Sequence, residues 1–159
     1  MLLAQSVRNP RFPQRRSAVH LYKILILFHC PLDGERFIDY VQVFFEGYTV
    51  TIDRFLSDRV LGKIMEYNNK ARLNSKKAFK PIEISEEGLE LIEFLSLDCT
   101  STEGEWHSDS EIKIDKLGYV IRNGQKTKQF WDGTIQSEKQ PLRVKIRNIC
   151  GDETVWEVK

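Results

Sequence analysis

Short apolar blocks separated by turn residues predict β-strands in the first third of the chain. Aliphatic and β-branched residues fill positions 21–29, which is typical of a buried strand. Residues 37–45 predict a second strand, and the Glu46-Gly47 turn leads into a third at residues 48–52. We therefore expect the N-terminal part of the fold to be built on strands.

Two stretches change to apolar spacings of three and four, which predicts two amphipathic helices. The first has its apolar positions at Ile52, Phe55, Leu56, Val60, Leu61, Ile64 and Met65. The second begins at Ser85 as N-cap, has Glu86 and Glu87 in its first turn, and is expected to end near Leu97. Between them, residues 70–80 hold five cations and no acid, which indicates a basic loop.

The last 60 residues lose the helical period and predict antiparallel strands. Residues 111–115, 119–122, 142–149 and 154–158 alternate or are β-rich, and turn signals such as Asn123-Gly124 separate them. Together the patterns predict an α+β fold. In it, two amphipathic helices pack on N-terminal strands and a small antiparallel C-terminal sheet follows.

The same patterns divide the chain into three regions. Residues 1–19 have arginines, two prolines and no period, so we expect a basic, disordered arm. Residues 20–98 form the mixed strand and helix region, and residues 99–159 form the antiparallel β region. A single domain over residues 20–159 is the alternative.

Composition and charge narrow the class of protein. With 159 residues, 41% of them hydrophobic and 30% charged, the chain fits one globular domain with an arm. No apolar run approaches the roughly 20 residues that cross a bilayer, so we expect no membrane partner. The three cysteines form no C-x-x-C pair and are typical of a reducing compartment, so we expect a cytoplasmic protein. The formal net charge of +1 hides an asymmetry, because residues 84–159 have ten basic and fifteen acidic residues. A nucleic-acid contact would therefore need a local patch.

The sequence predicts no catalytic, cofactor-binding or metal-binding residue. The nine glycines never form G-x-G, so there is no dinucleotide fingerprint, and a G-K-[ST] phosphate loop is also missing. The three cysteines lie far apart along the chain, and the three histidines lie in different segments without a nearby nucleophile signal. Residues 103–111 place acids around His107, which could hold a divalent metal, but a polar connecting loop is the favoured interpretation.

A cationic stripe is the main candidate for DNA binding. Side chains alternate along a strand, so Arg143, Lys145 and Arg147 are expected to project together about 7 Å apart. Such spacing can follow a phosphate backbone. The patch is extended by Lys113, Lys126 and Lys128, with Trp131 or Phe130 as a stacking surface. On the pattern alone, a solvated outer face balanced by nearby acids is the simpler interpretation.

Several strings resemble the C-terminal parts of adenine-specific DNA methyltransferases, the modification subunits of type III restriction–modification systems. They are LIEFLSLDCT at 91–100, EIKIDKLGY at 111–119, KTKQFWDG at 126–133 and RVKIRNICGDET at 143–154. The resemblance covers residues 36–158 and is clearest over the last 75.

The resemblance implies a non-catalytic role for this chain. The family's D-P-P-Y-like tetrapeptide and its F-x-G-x-G-like turn, which serves S-adenosylmethionine, are both missing here. The expectation is therefore a C-terminal fragment of a DNA adenine (N6) methyltransferase-like modification protein that contributes DNA contacts or target recognition and holds no cofactor itself. The alternative is a protein-interaction module that docks onto a catalytic or restriction subunit, because the acidic C-terminal half has three tryptophans.

Overall fold

Two antiparallel sheets dominate the part of the chain described by the computed structural model, residues 21–29, 37–74 and 78–158. Its strands are β1 Leu21–His29, β2 Phe37–Glu46, β3 Thr49–Ser57, β4 Ile92–Asp98, β5 Ser110–Ile114, β6 Tyr119–Arg122, β7 Gln125–Phe130, β8 Thr134–Gln136, β9 Arg143–Asn148 and β10 Glu153–Glu157. Within these ranges there is one α-helix, α1 Asp58–Asn74. The first sheet has the order β1-β2-β3-β8 and the second β10-β9-β4-β5-β6-β7.

The apolar faces of the two sheets form one buried core. From the first sheet it takes Val41, Val43, Val50, Ile52, Phe55 and Ile135, and from the second Leu95, Leu97, Ile112, Val120, Val144, Ile146 and Trp156. Hydrogen bonds also join the sheets, such as the one that Ser110 Oγ donates to the Gln136 carbonyl at 2.7 Å. The other face of the second sheet is free to bear polar side chains, and it holds the candidate site.

The predicted α+β fold with two amphipathic helices is wrong, and a bulge explains the first error. The predicted first helix began at Ile52, but β3 continues to Ser57 and α1 starts only at Asp58. The register of β3 on β2 shifts at Gln42/Val43, which leaves Asp53 and Arg54 exposed between buried Ile52 and Phe55. The extra residue creates a spacing of three within a strand, and this spacing imitates a helix.

The predicted second helix is also wrong, because this stretch forms a turn and then the strand β4. Ser85 does not cap a helix; its Oγ accepts a hydrogen bond from the Gly88 N–H at 3.0 Å. A single 3-10 turn, Leu89–Leu91, leads directly into β4. β4 lies inside the sheet, and all of its residues from Leu95 to Asp98 are buried. Its pairing with β9 shifts register between Ile92 and Phe94, so the alternation is broken there, and the spacing of three from Ile92 to Leu95 imitates a helix.

The C-terminal alternation, in contrast, marks β5, β6, β9 and β10 as strands, and these strands do lie in one antiparallel sheet. That sheet also contains β4, which the sequence pattern had assigned to a helix. The predicted arm at residues 1–19 lies outside the described residues, and the predicted domain boundaries remain predictions. Within the described ranges, no helix is long and apolar enough to cross a bilayer.

Two loops lie against the side of β3 that does not pair with β2. Each loop contains a glycine, Gly88 in one and Gly133 in the other. Ile52 donates its N–H to the Gly133 carbonyl and Phe55 donates to the Glu87 carbonyl, both at 2.8 Å. Gly88 has φ +66°, and a Cβ added to it would lie 2.0 Å from the Phe55 carbonyl oxygen. These contacts fix the loops to the strand, and only glycine fits at position 88.

Candidate functional site

The cationic stripe predicted on β9 lies on the face of the second sheet that is opposite to the core. Val144 and Ile146 point into the core, so Arg143, Lys145 and Arg147 share the other face. Across the ladder they meet Asp98, Ser96 and Phe94 of β4. The structure therefore brings the three cations together, as the alternation predicted, and also gives each a fixed cross-strand neighbour.

Arg143 is a buried ion-pair partner and is only 7% exposed. Its Nη2 donates to Asp98 Oδ2 at 2.5 Å and to the Glu105 carbonyl at 2.7 Å. Its Nη1 donates to the Gly104 carbonyl at 3.1 Å. The guanidinium thus fastens the loop after β4 across the sheet, and both of its Nη groups donate to acceptors within the protein.

Asp98 is the centre of this arrangement and is fully buried. Burial by itself raises the pKa of this carboxyl, but hydrogen bonds from the backbone N–H groups of His107, Thr100 and Ser101 and from Arg143 outweigh it. The pKa of Asp98 therefore lies well below its usual range. The carboxylate holds both ends of the loop formed by residues 99–109.

The remaining two cations of the stripe are partly covered and balanced by acids. Lys145 Nζ lies 4.5 Å from the centroid of the Trp106 ring and 3.9 Å from Glu153. Arg147 Nε donates to Glu93 at 2.6 Å, and its Nη1 lies 3.4 Å from Glu153. The stripe is therefore an internal network of ion pairs as much as a positive surface.

Unbalanced positive charge lies on the other half of the same face. Lys113 of β5 is opposite Ile121 of β6, and Ile121 is opposite Lys126 of β7. Lys113, Lys126 and Lys128 are exposed. Among the described residues, none of these three ammonium groups forms an ion pair within 4 Å.

The exposed aromatic side chain beside these lysines is Phe130, whereas Trp131 is half-buried. Trp131 packs against the core, and its Nε1 donates to the Thr134 carbonyl at 2.8 Å. Phe130 is 69% exposed and stacks on Tyr119, with ring centroids 4.9 Å apart and planes at 25°. The sequence indicated Phe130 as a possible stacking residue but gave no sign of Tyr119, which only the pairing of β6 with β7 brings into contact with it.

The β5–β6 hairpin holds this ring pair in a fixed position. Asp115 Oδ1 accepts hydrogen bonds from the N–H groups of Leu117 at 2.8 Å and Tyr119 at 2.9 Å. Gly118, at φ +84°, lies against Phe130, since a Cβ there would be 3.2 Å from the ring. We call Lys113, Tyr119, Lys126 and Phe130 the β5–β7 surface. It presents exposed lysines beside a stacked aromatic ring, and the Lys113 ammonium lies 5.9 Å from the centroid of the Phe94 ring on β4.

A polar depression near Cys99 is the second candidate functional site. Its surroundings do not favour Cys99 as a nucleophile. It is lined by Asp109, Ser110, Asn123 and Gln136 among others. Burial raises the pKa of the Cys99 thiol, so the reactive thiolate is disfavoured. Asp109 Oδ2 accepts from the Cys99 N–H and from Thr100 Oγ1, which gives it a structural role.

The acidic loop that was considered as a metal site belongs to the Asp98 network instead. His107 donates its backbone N–H to Asp98, and Trp106 Nε1 donates to Ser96 Oγ at 3.2 Å. Over the described ranges, no group of three His, Cys, Asp or Glu side chains is arranged to hold a metal ion.

No protein-family model, curated protein or solved structure matches this chain.

Proposed function

We propose that the chain is a non-catalytic DNA-binding domain that contacts DNA through the β5–β7 surface. The observation behind this proposal is the exposed Phe130 ring, stacked on Tyr119 beside Lys113 and Lys126. Cations without acidic partners bind phosphates by releasing counterions, and an exposed ring adds contacts to bases. The proposal shifts the predicted DNA contact away from Arg143 and Trp131, which the protein itself engages.

The resemblance to type III modification subunits supports the same proposal and adds a setting. On that view the domain is a C-terminal fragment of a DNA adenine methyltransferase-like protein, acts in the cytoplasm, and supplies DNA contacts or target recognition. Its partners would be DNA and a catalytic or restriction subunit. The S-adenosylmethionine chemistry would belong to another part of that protein.

The other function considered, docking onto a partner subunit, is favoured by one observation. β7 is an edge strand of the second sheet, and five of its six residues are exposed. Exposed edges can accept a partner's strand, but Lys126 and Lys128 lie on this one, and edge lysines oppose such pairing. The charge therefore favours nucleic acid over a strand partner at this edge.

Replacing both Lys113 and Lys126 by Gln is expected to weaken binding to DNA strongly at low salt. Each lost phosphate contact removes about 0.7–0.9 from the slope of log affinity against log salt, so the double variant should lower the slope by about 1.5. Fluorescence anisotropy with a labelled duplex and a labelled single strand, at several salt concentrations, measures this change.

The matched control removes two exposed lysines elsewhere, Lys63 on α1 and Lys80 in the segment after it. The Lys63→Gln, Lys80→Gln variant has the same net charge as the test variant and should keep the original slope. Equal losses in the two variants would show that only total charge matters. No binding by the folded original protein to either DNA would overturn the proposed function.

A further inference from the structure

We infer that the β5–β7 surface binds single-stranded DNA in preference to duplex DNA, with an unstacked base lying on the Phe130 ring. This inference rests on the proposed function and specifies its ligand. Its origin is the geometry of one ring pair and of the two lysines next to it.

The Phe130 ring offers a stacking face that a duplex cannot fill. One face of the ring is occupied by Tyr119, and 69% of the residue is still exposed. A base inside a duplex is already stacked on both sides, so reaching the ring would require unstacking at a cost of a few kcal/mol. A base in a single strand avoids most of that cost and gains about 1–3 kcal/mol by stacking on an aromatic side chain.

The lysines lie where the backbone of such a strand would pass. Tyr119 is paired with Phe130, and Ile121, two residues further along β6, is paired with Lys126 and with Lys113 on its other side. Two strand spacings of about 4.8 Å place the Lys113 and Lys126 backbones roughly 10 Å apart. The row that contains both lysines is next to the ring row, two residues or about 7 Å further along β6. Long lysine side chains from this row would have the phosphates adjacent to a base on Phe130 within their reach.

The ring is held in place before any ligand arrives. Two hydrogen bonds to Asp115 fix the hairpin, and Gly118 lies directly against Phe130. A preorganised ring loses little conformational entropy on binding. The other aromatic rings on this face are engaged: Trp106 covers Lys145 at 4.5 Å, and Phe94 lies 5.0 Å from the Arg147 guanidinium. Among the aromatic side chains of this face, the structure therefore singles out Phe130.

Phe130→Leu is expected to weaken binding of a single-stranded oligonucleotide of about 12 nucleotides roughly tenfold, because the apolar volume remains but the stacking face is lost. Binding of the duplex of equal length should change less than about threefold. Phe130→Trp should keep or strengthen single-strand binding. Tyr67→Leu removes another exposed aromatic residue, on α1, and should change neither. Anisotropy titrations with both DNAs give these affinities, and thermal unfolding confirms that each variant is folded.

The outcomes separate this inference from the proposed function. If duplex and single strand bind equally, or if Phe130→Leu binds single strands as well as the original does, the inference is overturned. Loss of binding in the Lys113→Gln, Lys126→Gln variant would in that case still support a DNA-binding surface. Absence of binding to both DNAs would overturn the inference and the proposed function together.

Discussion

Gly88→Ala is expected to prevent folding or to lower the free energy of unfolding by more than about 3 kcal/mol. The added Cβ would lie 2.0 Å from the Phe55 carbonyl oxygen, a backbone atom that cannot turn aside as a side chain can. The residue also has φ +66°, which disfavours any side chain. To relieve the clash, the loop would have to leave β3 and give up the hydrogen bond between the Phe55 N–H and the Glu87 carbonyl.

A graded series of glycine variants separates the clash from the backbone strain. Gly47 has φ +58°, and a Cβ added to it would meet no atom within 4 Å, so Gly47→Ala should cost only about 1 kcal/mol. Gly133→Ala should fall between the two, because its Cβ would lie 2.6 Å from the Ile52 carbonyl oxygen. Urea unfolding followed by tryptophan fluorescence ranks the three. Equal effects at positions 47 and 88 would contradict the close approach of the loop to β3.

Asp98→Asn is expected to lower the free energy of unfolding by about 3–5 kcal/mol. The side chain is fully buried and accepts four hydrogen bonds, one of them from the Arg143 guanidinium. The amide that replaces the carboxylate has an NH2 group, which would point at an N–H donor and could not accept its hydrogen bond. The substitution also leaves Arg143 buried without its counterion. The loop formed by residues 99–109 should lose its attachment, which Trp106 fluorescence can follow.

The matched control for Asp98→Asn is Glu66→Gln on α1. Glu66 pairs with Lys70, also at 2.5 Å, but both side chains are exposed. Solvent screens such pairs, so this variant should have the unfolding midpoint of the original protein. If the two variants are equally stable in urea, Asp98 does not organise the loop. A double variant, Asp98→Asn with Arg143→Met, should lose less than the sum of the two single changes.

The sequence predicted the fold best where one face of a strand is buried and the other is not. Alternation in β9 correctly placed Val144 and Ile146 inside and Arg143, Lys145 and Arg147 on the opposite face. It failed at β4, because a register shift between Ile92 and Phe94 interrupts the alternation that the strand otherwise shows from Leu95 to Asp98. It failed at β3 because a single bulge residue shifts the period. Both errors turned strands into helices, so the predicted fold class was wrong.

The candidate site was predictable only as far as residues on the same strand are concerned. That the cations of β9 share a face follows from the strand itself, but their partners come from distant segments. Arg143 meets Asp98 and Arg147 meets Glu93 because β9 pairs with β4, a register that no local pattern shows. The Tyr119–Phe130 stack likewise depends on a register shift between β6 and β7. Burial then decided which of the predicted site residues can reach a ligand.

DNA binding by the β5–β7 surface is best tested by mapping backbone amide NMR shifts during titration with a single-stranded oligonucleotide. If the β5–β7 surface binds DNA, the largest shifts should be those of Lys113, Tyr119, Ile121, Lys126 and Phe130. The amides of α1 and of β3 should change little. Shifts concentrated on α1 or around Cys99, or no shifts from a folded protein at low salt, would contradict the account.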